Sequence, residues 1–317
     1  MSILSVEDLH VHFRTDDGLV KAVNGVNFTV DKGEVLGLVG ESGSGKSVTN
    51  LAILKLVPTP PGIYAGGRIV FDGQDLLPMK EKALRSYRGK RIAMIFQDPM
   101  TCLNPYMRVS RQIGEVLELH EGLGRKQANH RSIELLERVG IPDPAQRVHQ
   151  YPHEFSGGMR QRVMIAMALA CKPELLLADE PTTALDVTIQ AQILDLIRGL
   201  ARDLGTAVIL VTHDLGVVAG IADKVAVMYA GRIVERGPVV ELFGQPSHPY
   251  TRGLLASVPR LDTRGHLEPI AGMPPNLANL PPGCAFAPRC PQAHEACSTQ
   301  PHWVGDRSRG SACWGPA

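Results

Sequence analysis

Gly40, Glu41, Ser42, Gly43, Ser44, Gly45, Lys46 and Ser47 stand in the order G-x-x-x-x-G-K-S, a spacing suited to wrapping the phosphates of a nucleotide. Three glycines let successive backbone N–H groups converge on phosphate oxygens where a Cβ would obstruct them. The Lys46 ammonium would reach the β- and γ-phosphates of ATP or GTP, and the Ser47 hydroxyl would take one position on Mg²⁺. The flanks suit this chemistry. Val35, Leu36, Gly37, Leu38 and Val39 read as a short buried strand, and the run that Ser47 and Val48 open, through Leu54, reads as a helix beginning under the phosphates. A glycine-rich turn that binds nothing would require neither Lys46 nor Ser47.

Other strand ends also carry polar chemistry. Residues 91–96 form an apolar run that stops at Gln97-Asp98-Pro99, which places an amide at the edge of a buried sheet, where ligands meet strand ends. Leu175, Leu176, Leu177 and Ala178 lead into Asp179 and Glu180; one acid there could hold Mg²⁺ through water and the next could orient an attacking water. Residues 207–212 form another apolar strand, ending at His213-Asp214. Ser156, Gly157 and Gly158 precede a helical run through Ala170, with Ser156 a natural N-cap and two glycines leaving the first-turn N–H groups unobstructed, a second anion site. Ala184-Leu185-Asp186 opens a further helix. Taken singly, Gln97 reads more often as an ordinary strand-end residue and Ser156 as a plain helix cap, and His213 reads also as a structural histidine.

The elements that must position these groups alternate between strand and helix. Leu9, Val11 and Phe13 face one way and His10 and His12 the other; Phe13, before a loop at residues 14–18, either stacks on a nucleotide base or completes the apolar face. Val26 to Val30 is a second strand ending in the turn Asp31-Lys32-Gly33. Residues 109–140 read as helical until Pro142 and Pro144, and residues 224–229 and 232–235 as two strands about a turn at Ala230-Gly231. Beyond about Pro238 the helical signals shorten, and proline recurs from Pro259 to Pro316, so the tail reads as loop-rich and too small for its own core.

With 317 residues the chain can hold one sizeable core and an appendage, and a net charge of +1 offers no field for wrapping nucleic acid. Residues 1–13 alternate like a strand rather than a secretory leader, and no run reaches the roughly 20 apolar residues of a membrane span. The expectation is a soluble chain that works at a membrane only through partners. Six cysteines in such a setting suit a metal or buried thiols better than a disulfide scaffold.

The order of these features resembles the ATP-binding-cassette ATPases over roughly residues 4–257. That resemblance implies an α/β P-loop NTPase cassette fold with a RecA-like core, an antiparallel β subdomain and a helical signature subdomain at about residues 100–172, followed by a loop-rich extension at 258–317. By the same resemblance Phe13 is the adenine-stacking residue, residues 40–47 the Walker A loop, Gln97 the Q-loop glutamine and Ser156, Gly157 and Gly158 the signature. Asp179 matches the Walker B aspartate, Glu180 the catalytic glutamate, Asp186 the D-loop aspartate and His213 the switch histidine. The signature reads F-S-G-G-M rather than L-S-G-G-Q, with its phosphate-facing part intact.

The stretches Gln97-Asp98-Pro99-Met100-Thr101, residues 178–188 and His248-Pro249-Tyr250-Thr251-Arg252 resemble, more narrowly, the ATPase subunits of bacterial oligopeptide and dipeptide importers. This implies an ATPase at the cytoplasmic face of the inner membrane, paired with a second, similar ATPase beneath two permease subunits and fed by an extracytoplasmic solute-binding protein. Nickel, glutathione or sugars are alternative cargoes. A soluble cassette acting on nucleic acid or the ribosome is the rival class, disfavoured by the single cassette and the near-neutral charge.

In the tail, Cys284, Cys290, Cys297 and Cys313 suggest a metal staple for a segment without a core. Structural zinc usually includes a close Cys-x₂₋₄-Cys pair, which is missing. Residues 284–291 resemble the tail of peptide-importer ATPases that hold a [4Fe–4S] cluster through four cysteines; zinc, or thiols without a ligand, are the alternatives.

Overall fold

The computed structural model describes residues 2–183, 185–258, 269–306 and 308–315. Ala184 of the A-L-D stretch and the prolines at 259 and 316 lie outside the described residues. The chain forms two compact units, one from Met1–Pro78 with Leu210–Ala317 and one from Met79–Ile209.

In the first unit, β1 (Ser2–Thr15) and β2 (Gly18–Asp31) form an antiparallel hairpin with Thr15 opposite Gly18. The loop expected at residues 14–18 is therefore a tight turn, because Arg14 and Thr15 continue the ladder. Leu9 and Val11 are fully buried and the intervening His10 only partly, the expected alternation. The strand β3 (Val35–Val39) is buried at every residue and leads through the glycine loop into α1 (Lys46–Ile53). Next, β4 (Gly62–Phe71) returns along β1, and β5 (Gln74–Asp75) completes an antiparallel sheet in the order β2-β1-β4-β5.

The second unit is mainly helical. It begins with α2 (Glu81–Leu84) and β6 (Ile92–Ile95), continues through α3 (Pro99–Cys102), α4 (Val109–Glu121), α5 (Arg125–Arg138), α6 (Pro144–Arg147) and α7 (Gly157–Ala168), and reaches β7 (Leu175–Asp179) and α8 (Val187–Leu204). The helical run expected over residues 109–140 is thus two helices, broken at Gly122 and Gly124. Ile113, Leu117, Leu135, Leu136 and Val163 bury the facing sides of α4, α5 and α7. β6 and β7 pair in parallel, Ile92 opposite Leu175.

The strand β8 (Ala207–Thr212) carries the chain back to the first unit. There α9 (Leu215–Ile221) precedes β9 (Lys224–Tyr229), which pairs in parallel with β3, and β10 (Arg232–Pro238), antiparallel to β9. Next come α10 (Val239–Gly244) and α11 (Pro249–Ala256). In the tail, β11 (Val304–Gly305) and β12 (Gly310–Ser311) add a short antiparallel ribbon to β10. The tail otherwise has short single turns and irregular backbone, as its prolines imply. Phe286 is buried with Tyr229 and Tyr250, so the tail takes its anchorage from the core of the first unit.

The glycine loop is fixed by close backbone approach. A Cβ on Gly40 (φ 151) would fall 2.2 Å from the Met228 carbonyl oxygen, and one on Gly45 (φ 104) 2.3 Å from that of Ala22. Both distances are impossible for a side-chain carbon, and Gly45 also has a left-handed backbone. Gly45→Ala is expected to cost on the order of 3 kcal/mol of stability. A fall in the urea midpoint at unchanged slope would register it, and an unchanged midpoint would refute the steric account.

Candidate functional site

The sequence-designated groups divide between the units. The first holds Phe13, the glycine loop through Val48, and His213; the second holds Gln97, Ser156, Gly157, Gly158, Asp179, Glu180 and Asp186.

In the first unit the loop's tip, Ser42 and Gly43, is exposed, and a Cβ on Gly43 would meet open space. Lys46 is buried, and its Nζ donates to the carbonyl oxygens of Gly40 and Glu41, each at 2.8 Å. The ammonium is therefore folded into the mouth of the loop. Ser47 and Val48 lie in the first turn of α1, whose N-terminal N–H groups head the loop. Phe13 is half-buried, opposite Val20 on one side and Gly62 on the other, so its ring is partly available at the strand's end. His213 is exposed immediately after β8, while the next residue, Asp214, caps α9 by accepting from the N–H groups of Gly216 and Val217.

In the second unit Asp179 is buried as the last residue of β7. Glu180 follows with a left-handed backbone (φ 46), uncommon outside glycine. Its carboxylate accepts from Gln97 Nε2 at 3.1 Å and from the Thr183 hydroxyl at 2.8 Å, both on one oxygen. The structure thus brings Gln97 and Glu180 together, 83 residues apart, and adds Thr183, which sequence reasoning missed. Ser156 caps α7, its hydroxyl accepting from Met159 N at 3.4 Å, with Ser156 and Gly157 exposed. Asp186 caps α8 by accepting from Ile189 N at 2.9 Å. A Cβ on Gly158 would lie 2.8 Å from the Ile189 side chain, so this glycine serves packing as well as access.

The tail cysteines Cys284, Cys290, Cys297 and Cys313 line one small cavity of about 10 Å³ with His248 and Phe286. All six cysteines are free thiols. Burial raises the pKa of Cys284 and Cys290 above the ordinary thiol value, so a metal would have to displace their protons. Among the described residues no three His, Cys, Asp or Glu side chains stand in an arrangement that would hold a metal ion. The four cysteines line one small cavity but form no metal-holding group among the described residues, so the expected [4Fe–4S] cluster is without support here.

The stretch His248-Pro249-Tyr250-Thr251-Arg252 has a structural use. Glu235, buried, accepts from the N–H groups of Ser247 and His248, and His248 Nδ1 accepts from Tyr250 N at 3.1 Å, starting α11. Burial lowers the His248 pKa to about 4, which keeps the ring neutral and able to accept that bond. Tyr250 then reaches the glycine loop, its hydroxyl accepting from Glu41 N at 2.8 Å.

Among the described residues no helix is long and apolar enough to cross a membrane. Residues 23–183 match the family model described as ABC transporter, and residues 234–297 that described as oligopeptide/dipeptide transporter, C-terminal region. The chain is 61% identical over 289 residues to the oligopeptide transport ATP-binding protein OppD of Bacillus subtilis, covering 90% of this chain and 81% of that protein. It is 57% identical to OppD of Salmonella typhimurium (94% and 89% covered) and 55% identical to the dipeptide transport ATP-binding protein DppD of Bacillus subtilis (93% and 88%). Among solved structures, the ATP-binding cassette MJ0796 bound to ADP and phosphate superposes with a TM-score of 0.67 at 25% identity, over 74% of this chain and 98% of that one. The cassette cbiO1 from Clostridium perfringens gives 0.64 at 29% identity, over 77% and 91%. The chain belongs to the ABC transporter family, among its oligopeptide and dipeptide transport ATP-binding proteins.

Proposed function

We propose that this chain hydrolyses ATP to power the import of di- or oligopeptides across the cytoplasmic membrane. The observation that carries the reading is identity above half, over nearly the whole chain, to proteins named for oligopeptide and dipeptide transport. ATP and Mg²⁺ are the ligands expected of an ABC ATPase. Residues 1–257 would form the ATPase domain and 258–317 the extension. The chain would sit at the cytoplasmic face of the inner membrane, with a second, similar ATPase, two permease subunits and an extracytoplasmic solute-binding protein, and without nucleic acid.

In this reading the backbone of residues 40–48 wraps the phosphates, Lys46 leaves its two carbonyls for the β/γ-oxygens, and Phe13 stacks on adenine. Ser47, Gln97 and Asp179 would hold Mg²⁺. Glu180, steadied by Gln97 and Thr183, would orient the attacking water, and His213 would support the γ-phosphate. Ser156, Gly157 and Gly158 of a facing cassette would complete the site, with Asp186 at that junction, so that ATP closes the pair and hydrolysis reopens it. Catalysis is then mainly positioning and charge stabilisation.

Cys284, Cys290, Cys297 and Cys313 would hold a [4Fe–4S] cluster that orders the tail. That all four line one cavity supports this reading, although they form no three-donor group for a metal ion among the described residues. The four side chains would have to rearrange to hold the cluster.

Lys46→Ala is expected to lose ATP affinity and transport sharply, as read by equilibrium titration and peptide uptake in the reconstituted transporter; equal affinity would remove the loop from the site. Glu180→Gln, which deletes a charge at constant shape, is expected to bind ATP and trap it without turnover. Cycling at the unmodified rate would mean that another residue orients the water. Protein purified without oxygen should be brown, with about four irons per chain. A colourless preparation with one zinc, or with none and four free thiols, would sink the cluster.

A further inference from the structure

Between β10 and the tail lies a cavity of about 310 Å³, at the small end of the ~300–1,000 Å³ usual for ligand sites. Its walls carry the rings of Tyr229, Phe286 and Trp303, with the Arg236 guanidinium over the Trp303 ring at 4.8 Å. Two polar groups on these walls lack a protein partner among the described residues. The first is Arg232, half-buried, whose guanidinium makes no hydrogen bond or ion pair there. The Asp8 carboxylate, whose field it feels, is taken by His10 Nε2 at 3.1 Å. Arg289, the buried arginine of the tail, shows what a satisfied guanidinium looks like here: it meets Glu41 fork to fork, Nη1 to Oε2 at 2.7 Å and Nη2 to Oε1 at 2.9 Å. The second group is His248, only 1% exposed. Its Nδ1 accepts from Tyr250 N, so the proton of the neutral ring sits on Nε2, and that N–H has no acceptor among the described residues. His248 borders this cavity and that of the cysteines, and the latter, at about 10 Å³, has room for one water at most.

We propose that this cavity binds a small aryl carboxylate, with Arg232 taking its charge, the His248 N–H as a further donor, and Tyr229, Phe286 and Trp303 packing its ring. A half-buried guanidinium with its donors unused matches a carboxylate, which it can meet with two parallel bonds. Among the described residues no Asp or Glu lines the cavity, so the ammonium of an amino acid or a peptide would find no counter-charge. An inorganic anion would satisfy the arginine but leave the aromatic walls without a partner. Arg236 belongs to the wall, since its Nη1 and Nη2 already donate to the carbonyls of Asn27 at 2.8 Å and Asp306 at 3.2 Å. None of residues 40–48 lines the cavity, so its ligand is not the nucleotide. Tyr229 and Arg232 come from the β9–β10 turn and Phe286 and Trp303 from the tail, so the ligand would join the two and stabilise the folded chain.

The test is calorimetric titration of the full chain, purified without oxygen, with 3-phenylpropionate at up to millimolar concentration. One site per chain is expected, with a change in Trp303 emission and a rise in the urea midpoint at saturation. Three further probes on the unmodified chain locate the recognition: 3-phenylpropanamide, which lacks the charge, phenylalanine, which adds an ammonium, and inorganic phosphate, which lacks the ring. Each is expected to bind at least about tenfold more weakly. Arg232→Gln is expected to raise the Kd for 3-phenylpropionate about tenfold, and Ala312→Phe, which fills the cavity, to abolish binding. No binding of 3-phenylpropionate to the unmodified chain overturns the inference, as does an amide that binds equally well. Phosphate binding as tightly would make this a plain anion site and overturn it too. So would a Kd that neither substitution moves. The urea midpoint of each unliganded variant shows whether the tail stays packed. Where Arg232→Gln lowers it, Arg232→Lys decides: a Kd raised about threefold at the unmodified midpoint supports the site, and an unchanged Kd refutes the role of the fork.

Discussion

The carbonyl oxygens of Met228 and Ala22 set the shape of the phosphate loop. They lie where Cβ atoms at Gly40 and Gly45 would be, so two of the loop's glycines are demanded by the protein's own backbone before any ligand arrives. Gly231, in the turn after β9, donates its N–H to the Ser44 carbonyl and receives that of Asn24, which ties the loop, that turn and β2 into one hydrogen-bonded unit. Lys46 then falls into place as the first residue of α1. A loop held this way is already in its concave form, and binding need not bear the entropy of ordering it.

The same turn anchors the tail. Tyr229, the last residue of β9, packs against Tyr250 at 4.5 Å between ring centroids and against Phe286 at 5.2 Å in an edge-to-face arrangement. Burying an aromatic ring of this kind contributes roughly 2–3 kcal/mol, and three rings in contact add directional terms. The ion pair of Arg289 with Glu41 adds less than its geometry suggests, since Glu41 is partly exposed and solvent screens the charge. Its value is directional: the rings hold the tail, and the fork sets where one carboxylate points.

The local grammar of the chain was legible in its sequence. The apolar runs 35–39, 175–178 and 207–212 became strands buried throughout, and Ser156 and Asp186 became caps because a short polar side chain before an apolar helix has N–H groups to satisfy. Boundaries were less legible. Residues 109–140 keep a helical pattern across the break between α4 and α5, since apolar periodicity continues in both while only Gly122 and Gly124 mark the interruption. Contacts over long separations were invisible. Nothing local in Glu41 or Arg289 signals a partner 248 residues away, and a charged residue in a loop reads by default as solvated. A carboxylate inside a G-x-x-x-x-G-K-S loop was the available signal, because it asks which cation neutralises it. Thr183 was missed similarly: its role depends on the left-handed backbone of Glu180, which turns that carboxylate toward it.

Glu180 holds a strained backbone within its own unit. A non-glycine residue in the left-handed region carries on the order of 1–2 kcal/mol of strain, and the bonds from Gln97 and Thr183 offset part of it. Lys46, in the other unit, donates from its Nζ to the carbonyl oxygens of Gly40 and Glu41. Those acceptors belong to the backbone that the Met228 and Ala22 carbonyls shape, so the loop itself sets where the ammonium lies. The loop's one carboxylate, Glu41, is engaged by the Arg289 fork, so the tail sets where that charge points.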